Sequence, residues 1–207
     1  MGDLLVWMDC EMTGLDLTRD ALVEVAVLVT DSELRMLDDG FDVLIAPPAG
    51  ALDAMEPVVR DMHTASGLLT ALQGTTTDLA EATEQVLAYV RSHMPERRKA
   101  PLCGNSIGTD RAFLARDMPE LDDHLHYRVV DVSSIKELCR RWYPKVYYAA
   151  PPKTGGHRAL ADIVESVAEL SYYRSTLFVP QPGPDTTSAR AAAGAFPTPL
   201  PSAAVPD

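Results

Sequence analysis

Apolar and polar positions along the chain fall into alternating strand-like and helix-like blocks. Leu4-Leu5-Val6-Trp7-Met8 is apolar on both faces, as in a central buried strand. Ala21 to Thr30 is a second run rich in β-branched residues, and Phe41 to Ala46 a third, stopped by Pro47-Pro48. These three predict a meander at the start of a mixed sheet. Thr77 or Asp78 can cap a helix running to about Met94, with Leu79, Val86, Leu87 and Val90 on its inner side. Pro101-Leu102-Cys103 reads as a short strand ending at Gly104-Asn105, followed by a helix near Arg111 to Asp117. Tyr127 to Val130 reads as a strand ending at Asp131, and Ser133 or Ser134 opens a helix to about Trp142. A last helix spans about Arg158 to Ser175, its stripe formed by Leu160, Ile163, Val164, Val167 and Leu170. There is no internal repeat, and the pattern predicts an α/β fold.

The pattern stops after Val179. Residues 180–207 hold seven of the 16 prolines and seven alanines, with Phe196 the one aromatic. So little apolar area cannot offset the entropy of ordering, which predicts a disordered Pro/Ala-rich tail. The division is therefore a domain over residues 1–179 and a tail over 180–207. The chain has 207 residues, 46% of them hydrophobic and 23% charged, the ordinary globular mix. No 18-residue apolar run and no secretory leader is visible, so a cytoplasmic chain with no membrane partner is expected. Three widely spaced cysteines, Cys10, Cys103 and Cys139, agree with a reducing compartment. The net charge of −12 speaks against loose binding to duplex DNA, which needs a broad basic surface. A small anionic ligand, held by metal ions and a few placed cations, remains compatible with it.

The candidate chemistry is acidic. Asp9 and Glu11 alternate onto one face at the carboxyl end of the first strand, continuing the row of Leu5 and Trp7. Two like charges there need a cation, and Mg²⁺ or Mn²⁺ prefer such oxygen donors. Asp110 lies between a short strand and a helix, and His157 with Asp162 flanks the start of the final helix, reached through Gly155-Gly156. Each taken singly has a plain reading: a solvated strand end, a helix cap, a loop histidine, an acid favouring a helix dipole. Taken together they suit phosphodiester hydrolysis. Four carboxylates can hold two metal ions about 4 Å apart, and a histidine, which titrates near neutrality as a residue type, can take the proton of the attacking water.

In these residues the chain resembles the oligoribonuclease family of DEDDh exonucleases. The landmarks are Trp7 to Leu15, His63-Thr64-Ala65-Ser66-Gly67-Leu68, Gly104 to Asp110, His126-Tyr127-Arg128, Asp131 to Leu138, and His157 to Ile163. The resemblance covers nearly all of residues 4–178. It implies a ribonuclease-H-like mixed sheet flanked by helices, a homodimer, and two divalent cations, Mg²⁺ or Mn²⁺. The metal-holding acids fall on Asp9, Glu11, Asp110 and Asp162, and the general base on His157. The implied substrate is single-stranded RNA of two to about five nucleotides, dinucleotides such as pGpG above all, whose bases are open to stacking. The resemblance also makes Leu15 a wedge between two bases and places His63 beside the base site. Ser106, Arg128 and Ser133 would close around the 5′ phosphate, with Tyr127 reaching it from the other subunit. Arginine suits such a cap because its fork binds phosphate in a bidentate manner. Many members carry Trp five residues before the His63 landmark, where this chain has Val58, so base gripping differs in detail. Two other readings stay open at this stage: a broader DNA or RNA 3′ exonuclease, and a non-catalytic oligonucleotide-binding module. The filled set of five reacting positions argues against the latter.

Overall fold

The structure is a computed structural model that describes residues 4–153 and 156–196. Strands β1 (Leu5–Met12), β2 (Leu22–Thr30) and β3 (Phe41–Leu44) form an antiparallel meander. Beyond the short helices α1 (Pro57–Ala65) and α2 (Leu68–Ala71), helix α3 (Leu79–His93) leads to β4 (Pro101–Gly104), which pairs in parallel with β1. Helices α4 (Gly108–Asp117) and α5 (Pro119–His124) then lead to β5 (His126–Asp131), parallel to β4. Helices α6 (Val132–Trp142), α7 (Pro144–Tyr148), α8 (Ala159–Leu177) and α9 (Thr186–Gly194) complete the described chain. The five-stranded mixed sheet has the order β3-β2-β1-β4-β5, with β1 at its centre. No helix among the described residues is long and apolar enough to cross a membrane.

The central strands are buried on both faces, as their near-continuous apolar runs require. Val6, Met8, Cys10 and Met12 face one core with Val86 and Val90 of α3, Phe113 and Leu114 of α4, and Leu121 of α5. Trp7, Ala26, Leu28 and Cys103 face the other, with Val132 and Cys139 of α6 and Ile163, Val167, Leu170 and Tyr173 of α8. Trp7 is fully buried and its indole N–H donates to Thr30 Oγ1 at 3.0 Å. That bond satisfies the one polar atom of an otherwise apolar core side chain.

Asp78 caps α3 by accepting from the Glu81 backbone N–H, and Asp131, rather than a serine, caps α6. The inner stripe of α8 is rotated from the expected one. Val164 is 40% exposed, while Ala159, Ser166, Glu169 and Tyr173 are buried. The polar Ser166 and Glu169 turn inward because partners await them there. The stretch read as a tail contains α9, capped by Asp185 and built on the alanine run, yet none of its residues is buried. The remainder of that stretch, residues 197–207, lies outside the described residues, as does Gly155 on the approach to His157.

Candidate active site

β1 delivers the first two acids. Strand alternation sends the Cys10 side chain to the helix α3 face and leaves Asp9 and Glu11 on the α8 face, so this edge offers oxygen donors only. Opposite them on β2, Asp9 pairs with Ala26 and Glu11 with Glu24. The register slips immediately afterwards, where Met12 pairs with Leu22. This irregularity sits beside the acids, next to Val23, which packs on Leu68 of α2 and on Leu72 just after it.

α8 supplies the third acid. Single carboxylate oxygens of Asp9, Glu11 and Asp162 lie within 4.8 Å of one another. Asp110, at the start of α4, stands beside them but outside that trio, its Oδ1 accepting the Cys10 backbone N–H at 3.0 Å. A carboxylate has acceptor capacity beyond that one bond. His157 is exposed just before α8, with φ at +45°. The structure therefore gathers all five expected reacting residues at one edge, three as a tight oxygen cluster.

The electrostatics call for a cation. Burial, then Asp110 and Asp162, push the Asp9 carboxyl up to about 8. Burial, then Asp9 and Glu24, push Glu11 up to about 9. Burial raises Asp110 to about 6 and also raises Asp162, with Glu165 adding to the latter. Charged forms so disfavoured are what a hard divalent ion would restore, and the all-oxygen donor set fits one. The sign of the pH dependence follows. Unfolded carboxylates titrate near about 4, whereas the folded Asp9 and Glu11 hold their protons to about 8 and about 9. The metal-free fold thus has their stabilising protonation in full below about pH 4 and loses it as pH rises through the folded values. Mg²⁺ should raise the melting temperature by about 5–10 °C at pH 8 when present at about 100 times its dissociation constant, and by less at pH 6. Differential scanning fluorimetry at the two pH values checks this, and an identical shift at both would count against the carboxylate cluster as the binding site.

Two other features of the same edge come from the ends of β4 and β5, which run parallel to β1. The Ser106 backbone N–H, at φ +53°, donates to Asp131 Oδ1 at 3.0 Å and to Ser133 Oγ at 2.9 Å. The two serine hydroxyls are 3.1 Å apart, and Ser133 donates on to Asn105 Oδ1 at 3.1 Å. Arg128 and Tyr127 lie exposed on β5, the guanidinium 5.5 Å from the tyrosine ring centre. Leu15 stands 74% exposed on the loop after β1. Its base is fixed by Thr13 and Asp20, and a Cβ on Gly14 would collide with the Asp20 carboxylate. His63 is fully buried on α1, its Nε2–H donating to the Met12 carbonyl at 2.8 Å and its Nδ1 lying 3.7 Å from Glu11 Oε2.

The residue pattern alone did not single out Glu24, Glu169, Lys136, Lys153 or Asn105. Glu24 is buried and accepts from Arg158 Nε and Nη2 at 3.0 and 2.8 Å and from the Ala159 backbone N–H at 3.3 Å. Glu169 is buried and contacts Lys153 at 2.9 Å and Lys136 at 3.1 Å. Burial alone would raise its carboxyl, but hydrogen bonds and charge from the two lysines bring it below the usual glutamate range. The available signal for Glu24 was a lone acid within the apolar run Leu22–Thr30, whereas Glu169 is one of three acids along α8 and had no comparable mark.

A cluster of ligand oxygens on the carboxyl edge of such a sheet, opposite a helix-borne acid, can hold the divalent ions that phosphodiester hydrolysis uses. A family model described as Exonuclease (RNase_T) matches residues 6–170, which makes the chain an exonuclease. Within that class the chain belongs to the oligoribonuclease family. It is 66% identical over 193 residues to an oligoribonuclease of Streptomyces coelicolor, covering 93% of this chain and 96% of that relative. It is 61% identical over 193 residues to one of Mycobacterium sp. strain KMS, covering 93% and 90%. Among solved structures, exonuclease I from Methylocaldum szegediense superposes with a TM-score of 0.61 at 18% identity, over 84% of this chain. The zinc-bound E. coli exonuclease I–single-stranded DNA complex superposes with a TM-score of 0.63 at 14% identity, over 86% of this chain. This chain spans 41% of each of those longer chains, and the likeness establishes the shared fold.

Proposed function

We propose that the chain hydrolyses very short single-stranded RNA from the 3′ end, dinucleotides such as pGpG above all, and releases nucleoside 5′-monophosphates. The observation that carries the reading is a single sheet edge with the acid cluster between β1 and α8 and the Ser106–Ser133 pair just past the ends of β4 and β5. Ligands of open α/β sheets sit at this carboxyl edge. Asp9, Glu11, Asp110 and Asp162 hold two divalent cations, Mg²⁺ or Mn²⁺. Cations held by these residues would supply positive charge to the scissile phosphate and to the 3′ oxygen that departs. His157 takes the proton of the attacking water as the phosphorus–oxygen bond to that 3′ oxygen breaks. Leu15 wedges between the two bases, and His63 supports the base site from beneath, behind Glu11. Ser106, Ser133 and Arg128 surround the 5′ phosphate. A further nucleotide at the 5′ end would need the space this cap fills, which is the physical reason for a length limit.

The same reading makes the active molecule a homodimer. β5 is an edge strand with Tyr127 and Val129 exposed, and α6, which follows it, and its cap expose Leu138, Trp142 and Tyr143. Bare apolar edges of this kind are normally covered. Tyr127 of a second copy would then reach the phosphate cap.

Product formation from 5′-phosphorylated pGpG and from a 5′-phosphorylated heptanucleotide, with Mg²⁺ and with EDTA, tests the proposal. Metal-dependent GMP release from pGpG should far outpace attack on the longer strand. Arg128→Ala should cost the dinucleotide reaction about 10- to 100-fold, the loss of a charge-assisted bidentate contact, and the heptanucleotide much less. Equal rates on the two substrates, or equal losses in the variant, would instead identify a general 3′ exonuclease. Tight pGpG binding with no cleavage under any metal would identify a binding module.

A further inference from the structure

His157 is the least supported of the reacting residues. Its side chain is exposed, its backbone is left-handed, and it precedes α8 rather than belonging to it. A non-glycine residue keeps such a backbone only where its surroundings hold it there. The residue after it and the fourth residue before it both carry cations, and both cations end on buried carboxylates. Arg158 reaches across to β2, where Glu24 is 1% exposed, and meets it through two nitrogens at 3.0 and 2.8 Å. Lys153 reaches the other way into α8, where Glu169 is 8% exposed, and meets its Oε2 at 2.9 Å.

We propose that Glu24 and Glu169 are positioning residues for His157, fixing through Arg158 and Lys153 the two ends of the short segment that carries it. The proposal rests on His157 being the general base. Ion pairs between two exposed side chains hold little. Here each anion is set by the core: loss of Arg158 would take the cation from the buried Glu24, and Glu169 holds Lys153 alongside Lys136, so each cation has a fixed partner to return to. Glu169 is itself braced by Lys136 at 3.1 Å, by the Tyr173 hydroxyl at 3.3 Å and by Asn105 Nδ2 at 3.3 Å. Asn105 also donates to Ser166 Oγ at 2.7 Å, and Ser166 to the Asp162 carbonyl at 2.8 Å. Glu24 stands directly across the strand pair from Glu11, and the Arg158 carbonyl accepts the Asp162 N–H at 3.1 Å. The two anchors therefore refer the base to the same strands and helix that hold the acids. Lys153 acts electrostatically on both Asp9 and Asp162, which puts that end of the segment alongside the cluster. A misplacement of about 1 Å in a reacting group can cost about 100-fold, so anchoring is chemically meaningful.

The test measures steady-state cleavage of pGpG with Mg²⁺ in two backgrounds, His157 and His157→Gly rescued by imidazole. Lys153→Met keeps the aliphatic stem, and Glu169 retains Lys136, so the fold survives. The pair Glu24→Gln with Arg158→Met removes both charges together and leaves no stranded carboxylate. In the His157 background each should lower kcat by about 10- to 100-fold with KM changed less than about threefold, and Lys153→Arg should recover most of the loss. Lys136→Met, which takes a cation from Glu169 without touching the His157 segment, should change kcat by less than about threefold. With imidazole supplying the base, Lys153→Met and the paired variant should no longer matter, because a freely diffusing base needs no anchor. Equal losses in both backgrounds would overturn the anchoring while leaving His157 as base, as would full activity of both anchor variants. Full activity of His157→Gly without imidazole would overturn the base assignment and the anchoring with it.

Discussion

Replacement of His157 by alanine should lower turnover of pGpG by about 10²–10⁴-fold, the range that positioned general bases contribute. The side chain is exposed and supports no core contact, so the melting temperature should move by less than about 2 °C. The backbone at this position is left-handed, with φ at +45°, and alanine tolerates that region less well than histidine or asparagine. His157→Asn is therefore the sharper variant: it fits the backbone and lacks the basic nitrogen. Matching losses in the alanine and asparagine variants would place the effect in the proton transfer and not in the chain conformation. The Mg²⁺-induced rise in melting temperature should persist in both, since neither touches the carboxylates. Single-turnover GMP release together with fluorimetry reads these quantities. Near-normal turnover in either variant would remove His157 as the base.

Asp9→Asn should combine two opposite effects. Asp9 lies at the centre of the cluster, facing Asp110, Asp162 and Glu24, and its charged form is the one burial opposes. Amide for carboxylate removes a ligand charge, so metal affinity should fall by more than the about 10–100-fold seen when groups behind metal ligands are changed. Activity at fixed Mg²⁺ should fall at least as far. The same change relieves repulsion in the metal-free protein, which should melt about 2–4 °C higher at pH 8, a gain of about 1 kcal/mol. At pH 5 the gain should be smaller, because the folded carboxyl, pushed up to about 8, is then protonated, and it should vanish below about pH 4, where the unfolded carboxyl is protonated too. Isothermal titration with Mg²⁺ and melting curves at the two pH values measure both effects. A variant that is destabilised at pH 8 without metal would show that Asp9 serves the fold rather than a cation.

The two contrasting variants sort the residues by what each was visible for. The strands were legible because β1 and β2 are buried on both faces, and an apolar run records that burial directly. Asp9 and Glu11 stood out because acids at the end of such a run are conspicuous. The short helices α1, α2, α5 and α7 escaped because four to nine residues hold too few turns for a periodicity to register. Glu24 and Glu169 were overlooked for a different reason. Glu24, the one acid in its strand, looks like noise until its cation is found, and Arg158 lies 134 positions away along the chain; Glu169 is one of three acids on α8 and looks like part of a solvated face. Long-range ion pairs leave no spacing to read. The acid trio was legible as a candidate set from the residue types, and the resemblance sharpened it, but its meeting point was not, because three carboxylates from β1 and α8 meet by topology and not by any local pattern.

The chain has two tryptophans, and the fold has put them in opposite worlds. Trp7 is sealed behind Asp9 and Glu11 in the sheet, bonded to Thr30, whereas Trp142 stands 65% exposed at the end of α6. Their indole emission is thus spatially sorted without any label. A quencher dissolved in water reaches one ring and not the other, so light from Trp142 speaks for whatever covers the end of α6. Light from Trp7 speaks for the floor of the catalytic cleft.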